Sequence, residues 1–166
     1  MKKSAILLSL LVMFSLSCDK SYKFYAFYIE KTVEVQFESG SVGDFEITQD
    51  VNLAIDMVME ANNSDADLIE EITIEEISLR EALFNDFNEL NLFISAEGIT
   101  ETSLATSDTT ATSFDETSLN VSMEKMDDYV KSPAFSLRTT GQLSSAHSQE
   151  LEVPLNLRFL VKTYVK

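Results

Sequence analysis

Apolar and polar residues alternate along much of this chain, and the alternation is longest at the C-terminus. Leu151, Val153, Leu155, Leu157, Phe159, Val161, Thr163 and Val165 hold the odd positions, while Glu150, Glu152, Asn156, Arg158 and Lys162 hold even ones. A period of two belongs to a strand with one buried face, so one long strand is predicted here. Pro154 has no N–H to donate. It falls on the outward face near the start of this strand and marks that end as an edge or a bulge.

Weaker copies of the pattern run through the rest of the chain. Tyr22 to Ile29 is aromatic-rich and favours a strand, and Val33, Val35 and Phe37 then alternate with Glu34, Gln36 and Glu38. Gly40 and Gly43 predict a turn, after which Phe45 and Ile47 begin another strand. Val51, Ile55, Val58 and Met59 fit a short helix over residues 50–61, although Val51, Leu53 and Ile55 also alternate. A loop is expected at 62–65 and one helical turn at 67–71. Ile72 and Ile74, then Ile77 and Leu79, alternate on either side of Glu75-Glu76, where the phase slips as a β-bulge would make it.

Phe84, Phe87 and Leu90 lie three apart, which predicts a turn of helix. Leu92, Ile94 and Ala96 predict a strand closed by Gly98. Residues 100–113 are dominated by Thr and Ser and read as a surface loop or weak edge. Leu119, Val121 and Met123 alternate again. A short helix over 126–131 ends before Pro133, because the residue preceding a proline disfavours helical backbone. Phe135, Leu137 and Thr139 predict a strand ending at Gly141.

Seven or eight strands with one to three short helices predict a mainly β fold. The expected architecture is an antiparallel β-sandwich, immunoglobulin-like or similar. The alternative is a closed β-barrel around an apolar cavity.

Composition narrows the function classes. The apolar fraction of 45% is too high for a disordered chain. The net charge is -16, from 28 acidic and 12 basic residues, so phosphate backbones are repelled and nucleic acid is excluded as a partner. Cys18 is the chain's one cysteine and His147 its one histidine. Intramolecular disulfides, CxxC pairs and multi-histidine metal sites are therefore excluded.

Lys2 and Lys3 form a positive start, followed by a twelve-residue apolar stretch from Ala5 to Leu16 that only Ser9 and Ser15 interrupt. A bilayer crossing needs about 20 such residues, so this stretch has the length of a signal-peptide core instead. The segment Ser15-Leu16-Ser17-Cys18 resembles the lipobox of bacterial lipoproteins. It departs from the pattern at Ser15, where the family places Leu, with Leu16 one place late. The resemblance implies cleavage before Cys18, leaving 1–17 as signal peptide, 18–21 as a lipidated tether and 22–166 as a single domain. It also implies fatty acylation (palmitate-type chains) on the Cys18 sulfur and often on the new amino group. The location it implies is the cell envelope, at the outer membrane of a Gram-negative bacterium. Losing Lys2 and Lys3 takes the net charge from -16 to -18.

Candidate chemistry in the body of the chain is sparse. Asn63, Asp65 and Asp67 have the first spacings of a calcium loop, but Leu68 stands where its Gly belongs and Ile74 where its bidentate Glu belongs. No metal site is predicted. Glu75 and Glu76 are adjacent on a strand and point to opposite faces, so they do not form a catalytic pair. Asp127 and Asp128 are a second adjacent pair. His147 lies in the polar run from Ser144 to Gln149 and reads as an exposed loop histidine. No nucleophile elbow, phosphate loop or cofactor motif occurs. Asp108-Thr109-Thr110 resembles the short O-glycosylation motif of some Gram-negative secreted proteins, which makes Thr109 a candidate modification site. The Tyr22–Ile29 run reads as a covered strand first and as a carbohydrate or partner platform second.

The function expected is a non-catalytic binding or structural module. The resemblance to small β-sandwich envelope lipoproteins implies membrane anchoring, with an envelope protein or glycan as partner. A lipid or small-molecule carrier is the second expectation, and an envelope hydrolase the third.

Overall fold

A computed structural model of the chain describes residues 23–62, 64–80, 83, 85–107, 116–122, 125–132 and 134–165. Among these the elements run β1 (Lys23–Phe37), β2 (Gly43–Val51), α1 (Ile55–Ala61), a 3-10 turn (Ala66–Leu68) and β3 (Ile69–Arg80). There follow β4 (Phe87–Ala96), β5 (Ile99–Thr106), β6 (Glu116–Ser118), β7 (Asn120–Val121), α2 (Asp127–Val130), β8 (Phe135–Leu143) and β9 (Leu151–Val165). One sheet has the order β1-β9-β3-β6 and the other β2-β8-β4-β5-β7, with every strand pair antiparallel.

This is the expected sandwich, and the closed barrel is overturned. β1 and β2 are consecutive yet belong to different sheets, each at an outer edge. Gly40 and Gly43 take positive φ values of 85° and 83° between them, a conformation that costs glycine little. The chain thus turns onto the facing layer instead of continuing the first sheet.

The predicted C-terminal strand forms in full as β9, between β1 and β3. Its inward residues Val153, Leu155, Leu157, Phe159 and Val161 are all buried. Each such side chain contributes about 1.5–3 kcal/mol. Pro154 is tolerated because β3 pairs with β9 only as far as Ser78–Asn156, so at Pro154 the paired neighbour is β1 alone. α2 forms as expected, α1 forms only from Ile55 because residues 50–51 still belong to β2, and the helical turn expected at 67–71 is a 3-10 turn ending at Leu68 with 69–71 already in β3. The bulge near Glu75-Glu76 is present as a register shift between Ile74 and Glu76.

Four further expectations are corrected. Phe87 and Leu90 are not helical. They open β4, where a register shift between Phe87 and Glu89 inserts an extra residue and turns both side chains inward (Phe84 lies outside the described residues). A bulge thus imitates helical spacing. Residues 99–106 are strand β5, not loop. Leu104 and Ala105 are both buried because the pairing slips between Leu92–Ala105 and Phe93–Ser103. The alternation at Leu119 and Val121 is not one strand. β6 pairs with β3, β7 pairs with β5, and buried Leu119 marks the crossing between the sheets. Met123 lies outside the described residues.

The last correction concerns Gly141, which does not end β8. The strand runs on to Leu143, with Gly141 opposite Leu90 on one side and Phe45 on the other. A Cβ built at Gly141 would meet the Glu89 backbone oxygen at 2.1 Å. The glycine is there to let the bulged β4 backbone approach. Gly141→Ala should therefore destabilise the protein by about 2–3 kcal/mol, through overpacking against backbone. Gly98→Ala, where φ is 75° but the space is open, should cost only about 1 kcal/mol. Denaturant unfolding of both variants checks this, and equal losses would contradict it.

Candidate functional site

The outward face of each sheet carries an arginine stacked on an aromatic ring, and the two arginines differ in how fully they are engaged. On β8, Arg138 lies 4.3 Å from the ring centroid of Phe93, its partner across the strand pair on β4. Its Nε donates to Glu101 at 2.8 Å and its Nη2 at 2.5 Å, with Glu46 3.7 Å from Nη1. This is the two-toothed geometry that guanidinium and carboxylate favour. The hydrogen bond from Arg138 holds the Glu101 carboxyl below its ordinary range, and Glu101 in return raises Arg138.

On β9, Arg158 lies 4.1 Å from the ring centroid of Tyr28, a half-exposed side chain of β1. Its one ion-pair partner among the described residues is Glu76 of β3, with Nη1 and Oε2 3.7 Å apart. Glu76 is fixed from the other side by Ser118 of β6, whose hydroxyl donates to Oε1 at 2.9 Å. The Arg158 Nε is buried without an acceptor among the described residues.

Beside Arg158 is a polar trough of about 370 Å3. Strand register builds it. Thr32, Asn156 and Ser78 are cross-strand neighbours on β1, β9 and β3, and so are Glu30, Arg158 and Glu76. The short first row is the floor and the longer second row the wall. Thr32 Oγ1 donates to Asn156 Oδ1 at 3.0 Å. Farther along the same face, Lys162 reaches Glu71 at 2.5 Å, and Lys125 lies 3.6 Å from the same carboxylate. The Lys162 hydrogen bond, aided by Lys125, holds the Glu71 carboxyl low.

Two other concavities are present. A groove of about 580 Å3 runs between the edges β1 and β2, where Gln49 Nε2 donates to the Glu34 carbonyl at 2.7 Å. A pocket of about 610 Å3 lies where α1, the 3-10 turn and α2 meet.

The sequence candidates fall elsewhere. Cys18 and Thr109 lie outside the described residues, as does Asn63. His147 is only partly exposed and is not a free loop histidine. Its Nε2 is buried without a hydrogen-bond partner, 3.7 Å from Asp86 Oδ1, and its carbonyl accepts from the Gly40 N–H at 2.8 Å. It fastens the 144–150 loop to the β1–β2 turn. The bulge leaves Glu75 and Glu76 both outside the core, with Glu76 committed to Arg158 and Ser118. Asp127 Oδ1 accepts from the Ile72 N–H at 2.9 Å, which joins α2 to β3. The acidic stretch is divided between the 3-10 turn at Asp67 and the paired Glu71 on β3. Among the described residues no group of three His, Cys, Asp or Glu is placed to hold a metal ion.

Sequence reasoning missed the Arg158 trough. Arg158 was legible as an outward residue, but its neighbours Tyr28, Glu30 and Glu76 stand 82 to 130 residues away. The alternation on β1 and β9 held a faint signal, since two strands of equal length with matching polar positions can pair.

The depressed carboxyls set an acid limit on stability. Glu71 and Glu101 have folded values below the ordinary 4.5, so the unfolded chain takes up protons first as pH falls. Their contribution is present above 4.5 and is lost as pH drops through the folded values. The unfolding midpoint should therefore decline in acid below 4.5, and Glu71→Gln with Glu101→Gln should flatten that decline. Denaturant titrations at a series of pH values check this; an unchanged slope in the double variant would contradict it.

Comparison with protein-family models, with curated proteins and with solved structures finds no match to this chain.

Proposed function

We propose that this protein is a lipid-anchored, non-catalytic module of a bacterial cell envelope that binds or organises other envelope components. The observation that carries the reading is the N-terminal pattern: Lys2 and Lys3, the apolar stretch from Ala5 to Leu16, and the single cysteine at Ser15-Leu16-Ser17-Cys18. A single acyl chain binds a bilayer with an association constant of only about 10⁴ M⁻¹, whereas two or more chains on one residue anchor stably. The acidic domain then needs no membrane-binding face of its own. The non-catalytic part of the reading is supported by how the titratable side chains are used. Asp127, Glu71 and Glu76 each use a carboxylate to join one strand or helix to another.

Cys18→Ala tests the proposal. The unsubstituted protein should pellet with membranes and carry acyl chains by mass spectrometry of its N-terminal peptide. The variant should carry no acyl chains, and any of it that is cut elsewhere and so loses residues 1–17 should leave the pellet. A variant that has lost residues 1–17 yet stays membrane-bound, or an unsubstituted protein without acyl mass, refutes the anchor.

A further inference from the structure

We infer that the trough beside Arg158 is a binding site for an uncharged saccharide. This deepens the proposed function by naming the chemistry of one partner, although the site does not depend on how the chain is anchored.

The argument starts from the contrast between the two stacked arginines. Arg138 has two short hydrogen bonds to Glu101 and a further carboxylate at 3.7 Å, so its donors are largely spent within the protein. Arg158 has one carboxylate at 3.7 Å, a distance beyond a hydrogen bond, and a buried Nε with no acceptor. The buried Nε is out of a ligand's reach, but the Arg158 side chain is 41% exposed, so its Nη donors are open to water or to a group seated in the trough. Tyr28 holds its plane by stacking, so the guanidinium is positioned without being saturated. The trough lies directly against it.

The charges select the ligand. Arg158 stands between Glu30 and Glu76 in a single cross-strand row. Lys31 also lines the trough, so its two carboxylates and two cations sum to no net charge, and an anion or a cation entering it meets a like charge beside each opposite one. A neutral ligand satisfies both if each of its groups donates and accepts, and vicinal hydroxyls do so. The floor offers the same duality through the Thr32 and Ser78 hydroxyls and the Asn156 amide, whose Oδ1 is engaged by Thr32. At about 370 Å3 the trough is at the small end of ligand sites, which run from about 300 to 1,000 Å3, so a short saccharide segment is the scale that fits. An extended peptide also donates and accepts, but it pairs through exposed strand edges, whereas this trough crosses the face of β1, β9 and β3.

The test uses the full chain in detergent with isotope labelling. It is titrated with maltotriose, cellotriose, chitotriose and mannotriose, then with trigalacturonate as an anionic counterpart and an unrelated neutral heptapeptide. At least one neutral trisaccharide should shift the resonances of Thr32, Asn156 and Arg158 saturably. Arg158→Met and Asn156→Ala should each weaken that binding about tenfold or more, and Arg138→Met should leave it unchanged. Asn156→Ala removes an outward amide, so it reports on the trough even if Arg158→Met unfolds. The inference is overturned if no neutral trisaccharide shifts these residues, or if trigalacturonate or the peptide binds the trough in their place. It is equally overturned if the trough variants bind as the unsubstituted protein does. Repeating the titration on Cys18→Ala separates the two readings: saccharide binding that persists there, whatever fractionation shows, stands without the anchor.

Discussion

Fifteen consecutive residue pairs, from Lys23–Val165 to Phe37–Leu151, tie the first described strand to the last. The chain has to close almost its whole length to make them, and the entropy of closure grows by about 0.6 kcal/mol for each doubling of the loop. What offsets that cost is the inner face of β9, whose alternating Val, Leu and Phe side chains are covered by the second sheet. The same pairing makes β9 an inner strand, and an inner strand cannot slip. A shift by one residue would turn Phe159 outward and Arg158 into the core. Register, core and outward face are thus fixed by one event, and topology of this kind folds late and slowly because its contacts are distant in sequence.

That dependence explains what was legible in the sequence. β9 could be read residue by residue, because a strand buried on one face along its full length shows its period without interruption. α2 was legible from the stop at Pro133, and the bulge in β3 from the phase slip at Glu75-Glu76. The misreadings share one cause. At Phe87 and Leu90, and again at Leu104 and Ala105, an inserted residue breaks the period of two just where the buried face has to continue. A local pattern cannot tell a bulge from a turn of helix when three residues separate two apolar side chains. Gly141 misled for a related reason. Its small size answers the close approach of Glu89, a partner on β4 that the local sequence does not reveal. The trough was least legible of all, since it exists only once three strands from distant parts of the chain are in register.

Electrostatics bear on the same outward faces. With 28 acidic residues against 12 basic ones, cations are scarce, and three of the described ones are paired where carboxylates crowd. Arg138 answers Glu101 and Glu46, while Lys162 and Lys125 share Glu71. Exposed ion pairs are worth little singly, so their larger effect is to keep neighbouring carboxylates on a crowded sheet face from repelling one another. Arg158 departs from this use. It stands between two carboxylates and holds neither within hydrogen-bond distance of the atoms that pair. The exception matters because the rest of the charge distribution is so economical with cations.

Chain direction also divides the sandwich into two unlike ends. Where β1 begins and β9 finishes, Thr163 bonds the Leu68 carbonyl and the pocket between α1 and α2 closes over Ala66 and Asp67. At the opposite end, His147 meets Gly40 and Ser144 meets Asp86. With Cys18 as the anchor under the proposed function, four residues separate the lipid from Lys23, and the five steps between them reach at most about 18 Å. The helical end would then face the bilayer, and its acidic residues Asp56, Glu60 and Asp67 would be repelled by anionic headgroups. The row of Glu30, Arg158 and Glu76 lies seven residues farther along β1, about 23 Å at the rise of a strand. A trough at that height opens sideways, clear of the headgroups. A ligand carried by a neighbouring envelope structure could enter it without the domain leaving the membrane.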